Sequence, residues 1–229
     1  SRIQPVAHAS FDAWIKAYRP NENSSNTTMT YYSRGAVLGA VLDAYLIQKS
    51  KGKQGLDGFM QLLYNKYALG LQRGFTEVEF LDELEHYCGE DLDAFFESYV
   101  NGTQIIPYKQ YFEPMGMQVI DNSAALTNFG LALEDGEIVK VRYVRSGSAA
   151  EDAGISAGDE ILACDGFRAD KTALENKYNA MNPGSSIELL VARDAKVFTV
   201  KCAYKTWVKP QYSLQIKDAN APYLLYWLR

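Results

Sequence analysis

Histidine is almost missing from this chain: His8 and His86 are the only two. Neither stands in an H-E-x-x-H pair, the spacing that aims two imidazoles from one helix face at a zinc ion. The three cysteines, Cys88, Cys164 and Cys202, lie far apart. No C-x-x-C pair exists, which excludes a zinc ribbon and a thioredoxin motif, so they read as inert core thiols. A dyad of His86 and Cys88 fails on geometry, because residues two apart on a helix diverge by roughly 200°. There is no G-x-S-x-G elbow and no P-loop. No long basic run accompanies the net charge of −5, which argues against nucleic acid and anionic membrane as partners. No apolar run approaches the roughly 20 residues of a membrane span, and no signal peptide is visible.

What is present is ordinary globular composition: 229 residues, 47% apolar and 22% charged. That suits one or two domains and excludes a disordered chain, a collagen-like chain and a disulfide miniprotein. The chain opens Ser1-Arg2-Ile3-Gln4 without Met and reads as a processed product or a piece of something longer.

The first half carries helix signals. Ser10 reads as an N-cap, with Phe11, Trp14 and Ile15 on one helical face and Pro20 as the stop. Residues 20–28 form a polar loop. Residues 31–49 give the strongest pattern, Val37, Leu38, Val41, Leu42, Tyr45 and Leu46 at steps of three and four. Gly35, Ala36, Gly39 and Ala40 on the same helix let a neighbour approach closely. Further helices are predicted over Leu56–Tyr67, from the capping box Thr76-x-x-Glu79 to about Tyr87, and over Asp91–Val100. Residues 1–115 therefore read as a helical block.

Beyond Pro107 and Pro114 the hydrophobic period becomes two. Val139, Val141 and Tyr143, then Ile187, Leu189 and Val191, then Phe198, Val200, Cys202 and Tyr204 alternate with solvent-side residues. Two short helices, Ser148–Gly154 and Thr172–Met181, lie between them. Residues 206–229 read as an aromatic tail with Trp207, Tyr212, Tyr223, Tyr226 and Trp227.

The order Phe129-Gly130-Leu131, two strands, Gly147-Ser148-Ala149-Ala150, Ala157-Gly158-Asp159-Glu160-Ile161-Leu162, Asp165-Gly166, helix and two strands resembles a PDZ domain over residues 116–205. Gly158 and Gly166 fall where tight turns want positive φ, and Asp159 is placed to bond its own turn. The resemblance implies a peptide carboxylate at Asn128-Phe129-Gly130-Leu131. It implies a peptide strand beside Leu131-Ala132-Leu133, against the helix near Thr172. Leu174 and Tyr178, four apart, face that groove or pack the core. Such a module takes a peptide or protein C-terminus or docks within its own protein.

Thr30-Tyr31-Tyr32-Ser33-Arg34-Gly35 resembles the Tyr-x-Lys-Gly segment of zinc aminopeptidases. With Ser10-Phe11-Asp12-Ala13-Trp14, Tyr18-Arg19-Pro20 and a following PDZ domain, the chain is similar to the glycyl aminopeptidase family, from Arg2 to Trp227-Leu228. The resemblance implies a thermolysin-like (gluzincin) zinc metallopeptidase, a hydrolase of peptide bonds near a Gly or Ala amino end. The family's H-E-x-x-H and the further Glu ligand have no counterpart here. The expectation is a multidomain α plus β fragment: the helical C-terminal part of a catalytic domain, then the PDZ module and tail. Zinc belongs to the parent enzyme, whose upstream catalytic segment is the partner; this chain holds no metal or cofactor and is inactive alone. Tyr32 aligns with the family's oxyanion donor, and Tyr31 is the fallback, against the plainer alternative that both tyrosines pack a helix start. The runner-up is a non-catalytic peptide-binding PDZ module on a helical scaffold. A third possibility is a structural domain that completes its parent's fold. The cysteines suit a reducing compartment without excluding the bacterial periplasm or exterior, which is placed ahead of the cytoplasm.

Overall fold

The computed structural model describes residues 3–134 and 136–229. In chain order the helices are α1 (Val6–Phe11), α2 (Ser24–Thr27), α3 (Tyr31–Lys49), α4 (Leu56–Leu63), α5 (Glu77–Cys88), α6 (Asp93–Tyr99), α7 (Tyr108–Phe112), α8 (Ala149–Asp152), α9 (Lys171–Asn179) and α10 (Pro222–Trp227). A π-helical turn, Tyr64–Gly70, continues α4. The strands are β1 (Met117–Asp121), β2 (Ala124–Thr127), β3 (Leu131–Leu133), β4 (Val139–Val144), β5 (Glu160–Cys164), β6 (Phe167–Arg168), β7 (Ser186–Arg193), β8 (Lys196–Ala203), β9 (Thr206–Lys209) and β10 (Tyr212–Ile216).

Two compact units result. One comprises Ser1–Ala17, Met29–Asn122 and Tyr212–Arg229; the other comprises Tyr18–Thr28 and Ser123–Gln211. The stretch expected as a separate tail is thus divided. β10 pairs antiparallel with β1, Met117 opposite Ile216 through Asp121 opposite Tyr212. β9 pairs with β2, Ala124 opposite Lys209 through Thr127 opposite Thr206.

In the helical unit α3 spans the predicted 31–49. Its inward face buries Leu38, Val41, Leu42, Leu46 and Ile47, each such side chain contributing about 1.5–3 kcal/mol of transfer free energy. Lys49 closes the helix next to the negative end of its dipole. Phe59, Leu63, Leu84, Met115 and Leu224 complete the same core. Thr76 and Glu79 form the predicted capping box, each side chain bonded to the other's backbone N–H. Gly89, left-handed at φ 69°, ends α5.

The N-terminal expectation is corrected. Pro5, not Ser10, precedes the first helix, which stops at Phe11. Phe11 is 91% and Ile15 71% exposed, and Trp14 is exposed too. The Asp12 carboxylate accepts from the Gln4 amide at 3.0 Å and pairs with Lys16. These bonds fix a turn where the apolar spacing pointed to a continued helix.

In the second unit the main sheet runs β3-β4-β5-β7-β8 with β6 beside β5. Its core holds Phe129, Val141, Ile161, Leu174, Tyr178, Leu189, Val191 and Cys202. Gly158 and Gly166 adopt φ 90° and 80°. Asp159, almost fully buried, accepts from the Ser156 N–H at 2.8 Å and from Arg193 at 2.7 and 2.8 Å.

Candidate functional site

The first candidate is the start of α3. Tyr32 is 61% exposed. Although consecutive helical side chains leave the axis about 100° apart, the Tyr31 and Tyr32 rings bend together and stack, centroids 4.2 Å apart. Arg34 turns the other way. Its Nη2 donates to the Gln104 carbonyl at 3.4 Å, and it lines a cavity of about 300 Å³ with Ser33, Val37, Ile106 and Tyr108. Further along α3, a Cβ built on Gly35 or Gly39 would meet no atom within 4 Å.

Among the described residues the histidines stand apart, and one group of carboxylates gathers. His8 lies on α1 and His86 on α5. The carboxylates of Glu85, Asp91 and Asp93 gather within 4.8 Å of one another. Two of the three are engaged at the start of α6: Glu85 accepts from the Leu92 N–H at 2.7 Å, and Asp91 accepts from the Asp93 N–H at 2.8 Å. The cysteines are not poised as nucleophiles. Burial pushes the thiols of Cys88 and Cys164 up and that of Cys202 up to about 12.

The second candidate is a groove of about 260 Å³ lined by Thr127–Ala132, by Glu175 and Asn179 of α9, and by Tyr143 and Arg145. Among the described residues β3 is an edge strand with β4 on one side only, so its other edge is open to strand addition. Gly130 sits at φ 80°, and a Cβ there would lie 2.0 Å from the Ser148 Cβ and 2.3 Å from its Oγ. Conformation and space therefore both demand glycine. The Phe129 and Gly130 carbonyls accept from the Ala150 and Arg145 N–H groups at 3.1 and 2.7 Å. Their own N–H groups have no partner among the described residues.

Of the residues expected to bind peptide, Phe129, Gly130 and Leu131 line the groove and Leu133 ends its edge strand. Leu174 and Tyr178 are core residues instead, 2% and 0% exposed. The Tyr178 ring stacks on Phe129 at 4.3 Å. Its hydroxyl donates to the Ala203 carbonyl at 3.0 Å and accepts from the Lys205 N–H at 3.0 Å. Such a bonded, stacked phenol is the floor beneath the groove. The helix presents its next residues, Glu175 and Asn179, to the opening. The same four-residue step starting one position later was the overlooked signal. Arg145 was missed because a charged residue after a strand has no distinguishing pattern.

These features define a PDZ domain, and residues 114–203 match the family described as PDZ domain. Residues 1–38, which hold SFDAW and YYSRG, match the family described as M61 glycyl aminopeptidase. An aminopeptidase N family protein from Idiomarina loihiensis superimposes on 100% of this chain at 25% identity and a TM-score of 0.78. This chain spans 41% of that protein's chain. A serine endoprotease from Yersinia pestis is 24% identical over 36% of this chain and 30% of its own, with a TM-score of 0.32. The PDZ domain of a carboxy-terminal protease from Vibrio cholerae, in complex with peptide, is 20% identical over 37% of this chain and 98% of its own, with a TM-score of 0.31. No curated protein matches the chain. Among the described residues no helix is long and apolar enough to cross a membrane.

Proposed function

We propose that this chain is part of a zinc-dependent aminopeptidase-like metallopeptidase of the glycyl aminopeptidase type. Residues 1–17, 29–122 and 212–229 complete a thermolysin-like catalytic domain, and the PDZ module engages a peptide or a neighbouring domain. The reaction is hydrolysis of a peptide bond near a Gly or Ala amino end. The superposition of the whole chain on 41% of an aminopeptidase N family protein carries this reading. The exposed Phe11 and Ile15 and the open face of α3 at Gly35 and Gly39 support it, as surface fit to pack against a further segment.

The zinc ion that the family implies does not fit this chain. A catalytic zinc needs three protein ligands and an open position; among the described residues the two histidines stand on separate helices, and in the one carboxylate group Glu85 and Asp91 are already bonded to the start of α6. The ligands therefore belong to a segment of the parent outside residues 1–229. What this chain contributes is Tyr32, whose exposed phenol donates a hydrogen bond to the oxyanion of the tetrahedral intermediate.

The test compares residues 1–229 with the longer gene product on glycyl and alanyl reporters, with metal analysis of both. Activity and zinc are expected in the longer product alone. One tightly held zinc per 1–229 chain, or hydrolysis by it, would overturn the assignment.

The binding-module reading is favoured by one observation, the N–H groups of Phe129 and Gly130, which have no partner among the described residues, beside an edge strand. It becomes the function if the full reading frame contains no H-E-x-x-H.

A further inference from the structure

Arg145 is held from three directions. Its N–H donates to the Gly130 carbonyl at 2.7 Å. Its guanidinium lies 4.2 Å over the Trp207 ring, a cation–π contact that restrains a side chain otherwise free to swing. The backbone on either side is tied to Asn26. The Asn26 amide donates to the Val144 carbonyl at 2.8 Å, and its oxygen accepts from the Ser146 N–H at 2.8 Å and the Tyr143 hydroxyl at 2.7 Å. Asn26 and Trp207 both lie outside the residues 114–203 that match the PDZ family. Among the described residues Arg145 has no carboxylate partner, and neither does Glu175 have a cationic one.

The two charges stand at different points of the groove. Thr127 donates to Asn179 at 2.8 Å, which sets the end of α9 beside the Asn128–Gly130 loop. Glu175 is one helical turn back, about 5.4 Å along the axis. A peptide strand added antiparallel to β3 ends at that loop and advances about 6.6 Å per two residues. Side chains two apart share a face, so the residue two before the terminus comes level with Glu175. Beneath the terminal residue the Phe129–Tyr178 ring pair is already packed, which favours a small terminal side chain.

We infer that the groove selects a peptide with a free carboxylate at Arg145 and a basic side chain two residues earlier at Glu175, and that Asn26 and Trp207 are positioning residues for Arg145. The inference rests on the reading of this groove as a site for peptide ends.

The experiment is fluorescence anisotropy of labelled Gly-Gly-Lys-Ala-Ala, as free acid and as amide, and of Gly-Gly-Glu-Ala-Ala, on the whole chain 1–229. Circular dichroism checks each variant's fold. The free acid is expected to bind about 10-fold tighter than the amide, the size of one charge-assisted contact. Arg145→Ala should remove most of that ratio and Arg145→Lys should restore part of it. Asn26→Ala and Trp207→Ala should lower the same ratio, whereas a merely structural role would weaken acid and amide alike. Glu175→Lys should reverse the preference for the lysine peptide over the glutamate peptide. No binding of any peptide, or equal binding of acid and amide by the unaltered chain, overturns the peptide-end reading. An acid preference that survives Arg145→Ala, or a lysine preference that survives Glu175→Lys, overturns this inference while leaving that reading intact.

Discussion

Asp43 and Trp227 are bonded: the indole N–H donates to Asp43 Oδ2 at 2.8 Å, while Oδ1 accepts the Leu56 N–H at 2.7 Å. One carboxylate on α3 thus caps the first turn of α4 and fastens the C-terminal helix α10, which buries Leu224 in the same core. Asp43→Ala is expected to destabilise the helical unit by about 1–3 kcal/mol, since it strands two donors. Trp227→Phe, which removes one of the two bonds and keeps an aromatic ring, should cost less. Urea denaturation followed by far-UV circular dichroism measures both, and equal losses would contradict the shared-carboxylate account.

Gly130→Ala should weaken the second unit by about 1–3 kcal/mol from overpacking against Ser148, with a further cost for the positive φ. Gly147→Ala is the comparison. Gly147 also has a positive φ, 74°, but a Cβ there would meet nothing within 4 Å. The difference between the two variants in thermal denaturation isolates the steric part, and it should be absent if Ser148 simply moves aside.

Asp159 governs a pH dependence. Burial alone would raise its carboxyl pKa, but the bonds from Arg193 and the Ser156 N–H outweigh burial and hold it below the ordinary value. The folded pKa is thus lower than the unfolded one. The charged aspartate stabilises the fold fully above the unfolded value, near pH 4, and that contribution drains away as pH falls through the folded pKa. Asp159→Asn is expected to cost about 1–3 kcal/mol at pH 7, and the gap to the unaltered chain should close below about pH 4. Chemical denaturation at a series of pH values checks this, and a gap that stays constant down to pH 2 would rule out the ionised pair as its source.

Tyr32→Phe in the longer parent enzyme should lower kcat about 10²-fold or more while moving KM little, because an oxyanion donor acts on charge that exists only in the transition state. Phe keeps the ring, so the stack on Tyr31 survives and folding should barely change. Tyr31→Phe serves as the control and is expected to be nearly silent. A crippled Tyr31→Phe with a fully active Tyr32→Phe would move the role one residue along the helix. Full activity in both would leave the tyrosines as packing residues.

Local signals carried much of the architecture. The three-and-four spacing of α3 and the Thr76–Glu79 box gave element edges to within a residue, because capping and core periodicity act over one turn. The same spacing misled at Phe11 and Ile15, which are apolar without being buried in this chain. Periodicity reports which residues share a face and is silent on what covers it. Position along α9 was legible only to the turn. Leu174 and Tyr178 were the apolar pair and went to the core, leaving their neighbours Glu175 and Asn179 for the groove. The link from Asn26 to Val144 crosses 118 residues of sequence, and no short-range pattern encodes such a contact.

The pairing of β1 with β10 sets Asp121 directly opposite Tyr212. The chain leaves the helical unit on one strand and returns on its immediate neighbour, so residues 123–211 are carried as a cassette between two abutting ends. Replacing that cassette with a two-residue turn would convert β1 and β10 into an ordinary hairpin, and a different module with closely spaced termini could be spliced at the same point. The Tyr18–Thr28 excursion is grouped with the cassette although it departs from another part of the chain. A transplanted module would lack the Asn26 bonds to Val144 and Ser146 that this excursion supplies.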